Sequence, residues 1–163
     1  MNRRSATNPR WALALGLICL AVPLAAQAQD QNLCPILRSV IDASTAKFKP
    51  VRGHKSESHK WDATSILPYA SRCGLDDDFL DKEVRYTCFF DAASPNATEA
   101  DMKRLADSYA DNIAACRPEL TRHPNDYDAD DWDFDDATAK RVAVDVFDDF
   151  FTVDVYTPEN NPL

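Results

Sequence analysis

The chain of 163 residues carries 27 acidic against 18 basic side chains, a formal charge of −9. Such a balance repels phosphate polymers and anionic lipid heads, which counts against nucleic-acid and membrane-surface binding. With only three glycines, the chain holds neither a Walker pattern nor a dinucleotide fingerprint, because backbone loops that cradle phosphate need several.

Arg3, Arg4 and Arg10 precede an apolar stretch from Trp11 to Ala26, and Ala26-Gln27-Ala28 offers small residues at the positions a signal peptidase reads. The stretch is about 16 residues long and broken by Pro23, short of the roughly 20 that a spanning helix needs. Residues 1–28 are therefore expected to be a cleaved secretory signal, and 29–163 a single disulfide-braced domain with an acidic C-terminal hairpin region. Its place would be periplasmic or secreted, with no membrane insertion after cleavage. Losing Arg3, Arg4 and Arg10 and no acid takes the formal charge from −9 to about −12.

The first element opens at Cys34-Pro35, where proline suits a first helical turn. Leu33, Leu37, Val40, Ile41, Ser44 and Phe48 follow at steps of three and four, predicting a helix that Pro50 stops. Val51 to Lys60 reads as a polar, basic connector with Arg52, His54, Lys55, His59 and Lys60. Trp61 to Tyr69 alternates weakly and reads as a strand, Cys73 to Asp78 as an acidic, turn-rich loop. Glu83 to Ala92 is the clearest strand, with Val84, Tyr86, Cys88 and Phe90 on one side of the alternation.

A second helix runs to Pro118, with Met102, Leu105, Ala106, Tyr109, Ile113 and Cys116 on one face. Its start carries two candidate reciprocal caps, Thr98 with Asp101 or Asn96 with Glu99. Acids dominate after Pro118. Two alternating runs, Arg141 to Phe147 and Phe151 to Tyr156, flank Asp148-Asp149 as a hairpin would, and Trp132 with Phe134 offers a further short strand. These elements predict an α+β fold: a two-layer sandwich of two helices on a mainly antiparallel four- to five-stranded sheet, in the order α-β-β-α-β-β.

Four cysteines follow the expected cleavage site, and four allow three pairings. Antiparallel helices would bring Cys34, near the start of the first, to Cys116, near the end of the second. That leaves Cys73 with Cys88, giving two disulfides. A redox enzyme would favour Cys-x-x-Cys and a zinc site closer thiols or paired histidines, and neither is present.

Catalytic candidates are few. His54 and His59 lie in the basic connector, His123 in a polar turn, and no serine or cysteine sits in a nucleophile context. The run from Asp126 to Phe134 is the sharpest local feature. Asp126, Asp128 and Asp130 resemble the opening of a calcium loop, yet Asp131 stands where the EF-hand needs glycine and Ala137 where it needs a bidentate glutamate. The same run also suits docking: Tyr127, Trp132 and Phe134 interleave with Asp128, Asp130, Asp131 and Asp133, so aromatic anchors would bury area while carboxylates steer a basic protein partner. The expected function is a non-enzymatic, exported binding protein of inhibitor, immunity or accessory type, without a cofactor. The alternatives are a calcium-binding envelope protein and a small secreted hydrolase.

Overall fold

The computed structural model describes residues 25–77, 83–92, 94, 96–126, 128, 130–136 and 140–157. Helix α1 spans Ala25–Ser44, so it begins before Cys34 and carries Pro35 inside it. All six apolar-stripe positions, Leu33, Leu37, Val40, Ile41, Ser44 and Phe48, are buried. The helix nevertheless ends before Pro50. Lys47 and Phe48 turn into the left-handed region, with φ of 52° and 56°, and Lys49–Val51 makes a single 3-10 turn. That reversal keeps Phe48 in the core, stacked on Tyr86 with ring centroids 6.1 Å apart.

Four strands follow: β1 (Arg52–Lys55), β2 (Lys60–Ala63), β3 (Arg72–Asp77) and β4 (Val84–Asp91). Helix α2 (Glu99–Cys116) comes next, then β5 (Thr121–Pro124), β6 (Trp132–Asp135), β7 (Lys140–Val146) and β8 (Phe150–Tyr156). All eight strands form one antiparallel sheet in the order β1-β2-β3-β4-β8-β7-β6-β5. The expected four- to five-stranded sheet and the α-β-β-α-β-β order are both overturned; the order is a helix and four strands, twice. Three segments account for the difference. The basic connector is the β1–β2 hairpin, the acidic loop at Cys73 is β3, and the turn holding His123 is β5. Conversely, the strand expected over Trp61 to Tyr69 stops at Ala63.

Both helices lie on one face of the sheet, packing on each other and on β8, with α2 reaching β7. Alternation explains which residues meet them. Val84, Tyr86, Cys88 and Phe90 of β4, and Phe151, Val153 and Val155 of β8, are buried toward the helices. Each such aliphatic or aromatic side chain contributes roughly 1.5–3 kcal/mol on leaving water. The two disulfides expected from the cysteine positions are present. Cys34–Cys116 ties α1 to α2 with Cα atoms 5.0 Å apart, and Cys73–Cys88 ties directly paired residues of β3 and β4 at 4.1 Å.

The register reveals a two-fold relation between the halves. Trp61 of β2 and Trp132 of β6 occupy equivalent positions: Arg52 faces Ala63, two past Trp61, while Arg122 faces Phe134, two past Trp132. Leu75 faces Trp61 and Tyr86; Val144 faces Trp132 and Val153. At the centre Tyr86 pairs with Val155 and Cys88 with Val153, so the relation exchanges Thr87 and Asp154, which face each other across β4 and β8. Even the side-chain clasp repeats: Arg52 Cζ lies 4.4 Å from the Trp61 ring and Arg122 Cζ 3.8 Å from that of Trp132.

Candidate functional site

The run from Asp126 to Phe134 forms the tip between β5 and β6 and the whole of β6 up to Phe134. Tyr127 lies outside the described residues. Asp126, Asp128 and Asp130 are exposed, while Asp133 is 5% exposed and Phe134 is fully buried against the helices. Trp132 is half-buried and already engaged. Its Nε1 donates to Asp107 Oδ1 at 2.8 Å, Arg122 covers one face, and Lys103 Nζ stands 5.7 Å from the ring. The exposed carboxylates belong to the loop and the covered aromatics to β6, so Phe134 and Trp132 do not project from the tip.

The described residues of the tip are joined by hydrogen bonds of their own. Asn125 N donates to Asp131 O at 3.1 Å, Asp131 N to Asp128 O at 3.2 Å, and Asp130 N to Asp128 Oδ1 at 3.0 Å. Lys103 Nζ, from α2, stands 3.3 Å from Asp130 Oδ1. Asp131 turns inward, where its Oδ1 accepts from Val146 N at 2.7 Å. Partial burial pushes its carboxyl up, Asp128, Asp130 and Asp133 push it further, and the Val146 bond opposes them. Among the described residues no three His, Cys, Asp or Glu side chains converge so as to hold a metal ion, Asp126, Asp128 and Asp130 included.

The histidines are scattered. His54 and His59 are exposed at the β1–β2 hairpin. His123 of β5 is tied on both sides, Nε2 to Asp135 Oδ2 at 2.6 Å and Nδ1 to Pro124 O at 3.1 Å. Both partners are acceptors, so both ring nitrogens must carry a proton for the two bonds to form. The bond to Asp135 is the main reason the imidazole is pushed above its ordinary value of 6.5, and the Pro124 carbonyl adds to it. An imidazolium held this way is a cross-brace between β5 and β6.

Sequence reasoning missed a polar row on the face of the sheet that carries no helix. Paired residues place Asp62, Gly74, Thr87, Asp154, Ala143, Asp133 and His123 in line across seven strands. At its centre Asp154 is only 2% exposed. Its carboxylate accepts from Thr87 Oγ1 and, at 3.0 Å, from Thr152 Oγ1, and Arg85 Nε stands 3.5 Å away. The signal in the sequence is faint, since each row member comes from a different strand. Asp154 with its hydroxyl partners is a closed network, and a closed network stiffens the sheet without presenting a reactive group.

No helix among the described residues is long and apolar enough to cross a membrane. Two disulfides suit an oxidising environment outside the cytoplasm. Comparison with protein-family models, with curated proteins and with solved structures finds no match to the chain.

Proposed function

We propose that this is an exported, non-enzymatic binding protein that docks a basic protein partner through the carboxylates of the β5–β6 tip. The reading places it in the periplasm or outside the cell, after loss of residues 1–28. One observation carries it. The two halves of the fold make equivalent tips beside equivalent tryptophans, but the β1–β2 tip holds Glu57 among Lys55, His59 and Lys60, whereas the β5–β6 tip holds Asp126, Asp128 and Asp130. A turn at this place in the architecture therefore needs no carboxylates, and their gathering is free to serve recognition. Three outward carboxylates on a hydrogen-bonded loop lose little freedom on binding, which favours fast, charge-steered association. Both ring nitrogens of His123 are engaged by Asp135 and Pro124, which supports binding over catalysis.

The test is capture of partners from an envelope extract at low salt, comparing the wild-type mature chain with Asp126→Asn/Asp128→Asn/Asp130→Asn. The exposed carboxylates are the ones to change, because Asp131 and Trp132 are half-buried and tie the tip to Val146 and Asp107. A specific basic protein should be retained by the wild type and lost by the variant, with affinity falling about tenfold or more and the salt dependence flattening. Equal capture by both overturns the proposal. A melting temperature raised by calcium and restored by chelator would instead move the tip to cation binding.

A further inference from the structure

The β2–β3 loop runs over the edge of the helical layer. Leu67 is 1% exposed, Tyr86 Oη donates to Ser65 O at 2.7 Å, and Tyr109 Oη reaches Pro68 O at 3.5 Å. The next residue, Tyr69, sits at φ 70° with 67% of its surface exposed. A bulky side chain adopts that left-handed backbone only at a cost, and such strain gathers where a chain clamps a ligand. Beside Tyr69 opens a cleft of about 350 Å³, walled by Leu33, Leu105, Phe90, Tyr109 and Phe151. Its aromatic wall is itself well packed: the Phe90 and Phe151 rings stack at 4.4 Å and Tyr109 meets Phe90 at 4.7 Å.

The cleft has a sign as well as a shape. Asp91, Ser108 and Asn112 complete its lining, and no Lys, Arg or His takes part among the described residues. Asp91 is exposed and pairs with Phe150 across β4 and β8, and Asp148 and Asp149 lie exposed in the adjoining β7–β8 turn. Asp149 O holds the chain there by accepting from Ala92 N at 3.0 Å. Leu105, at 52% exposure, breaks the otherwise buried stripe of α2 and lines the cleft, as Tyr69 does. An apolar hollow lined by two exposed apolar-bodied side chains, Tyr69 and Leu105, with an acidic margin fits a side chain that is apolar next to cations.

We propose that this cleft receives an apolar side chain of a basic partner, flanked by lysine or arginine whose cation meets Asp91. The inference rests on the docking reading and supplies what the β5–β6 tip lacks, since Trp132 and Phe134 are occupied internally and give the partner no anchor pocket. Helix α2 joins the two surfaces: Lys103 and Asp107 reach toward β6, while Leu105, Ser108 and Asn112 line the cleft. A partner lying across α2 would meet carboxylates on one flank and the hollow on the other.

Titration calorimetry with the blocked hexapeptide Lys-Lys-Phe-Leu-Lys-Lys tests it, against Lys-Lys-Ser-Gly-Lys-Lys as the equally charged control. The first peptide should bind saturably and about tenfold tighter than the control, the effect of one buried apolar anchor. Tyr69→Ala and Ser108→Trp, both at exposed positions, should each weaken it by about tenfold or more with no change in melting temperature. Asp91→Asn should weaken it less and reduce its salt dependence. Equal binding of the two peptides, no saturable binding, or full binding by both cleft variants overturns the inference. The Asp126→Asn/Asp128→Asn/Asp130→Asn chain should bind the first peptide as the wild type does. If that chain alone loses the peptide, the cleft is refuted while docking at the β5–β6 tip survives; if the cleft variants alone lose it and partner capture ignores the tip carboxylates, the reverse holds.

Discussion

The strength of the His123–Asp135 pair depends on pH. The imidazole is pushed above 6.5, its ordinary value. A cation with a raised folded value contributes stability that is complete below about pH 6.5 and is lost as pH rises through the folded value. Asp135→Asn removes the carboxylate, so the His123 titration followed by NMR should move downward, and the loss of stability on going from acid to neutral pH should shrink. Asp131 moves stability in the same direction with pH, from a different cause. Its carboxyl is pushed up by burial, so ionisation at neutral pH opposes folding, and stability is gained as pH falls through the raised value. Asp131→Asn keeps an oxygen to accept the Val146 N–H and discards the charge; the melting temperature at pH 7 should rise or hold, by a change within about 3 °C. A clear fall would mean that the ionised form is needed at that position.

At the scale of elements, α2 is the segment whose start the residues announce most plainly. Thr98 Oγ1 accepts from Asp101 N at 3.3 Å and Asp101 Oδ2 accepts from Thr98 N at 3.0 Å, the reciprocal box chosen over Asn96 with Glu99. The bonds its carboxylate accepts from the Thr98 N–H and hydroxyl hold the Asp101 carboxyl below the usual range. Thr98→Ala should cost about 1 kcal/mol, read from the urea midpoint, with the difference narrowing below pH 4 as Asp101 takes a proton. The strands β4, β7 and β8 were legible for a related reason: long alternating runs such as Val84 to Phe90 repeat the two-residue period enough times to be unmistakable. Four-residue strands cannot. β1 and β5 are sheet edges whose residues are largely polar and partly exposed, so Arg-Gly-His-Lys and Thr-Arg-His-Pro look like loops. β3 was hidden by composition, because Gly74 and Asp76 point to the helix-free face while only Cys73 and Leu75 mark the buried one.

For the whole molecule, the disulfides join parts far apart in the chain, and their separations set how much freedom they remove from the unfolded state. Cys34–Cys116 spans 82 residues and Cys73–Cys88 spans 15. Replacing the first pair by serine should cost about 4.5 kcal/mol and the second about 3 kcal/mol on the chain-entropy account, measured by urea unfolding of each double variant. An order the other way would show that sheet geometry, not loop closure, sets their worth. The amino-acid order alone determined the α1 stripe, most of the α2 face, the long strands and the acidic character of the β5–β6 tip, because each rests on local periodicity or on charge; the cysteine pairing it suggested depended on the helices lying antiparallel. Only the tertiary structure decided that the short polar segments pair as edge strands, that two equivalent halves meet at Thr87 and Asp154, that Phe134 turns inward, and that Leu105 and Tyr69 line a hollow. Hydrogen bonding between strands satisfies backbone groups whatever the side chains, so edge pairing leaves little mark in the sequence, and a cleft exists only where remote residues converge.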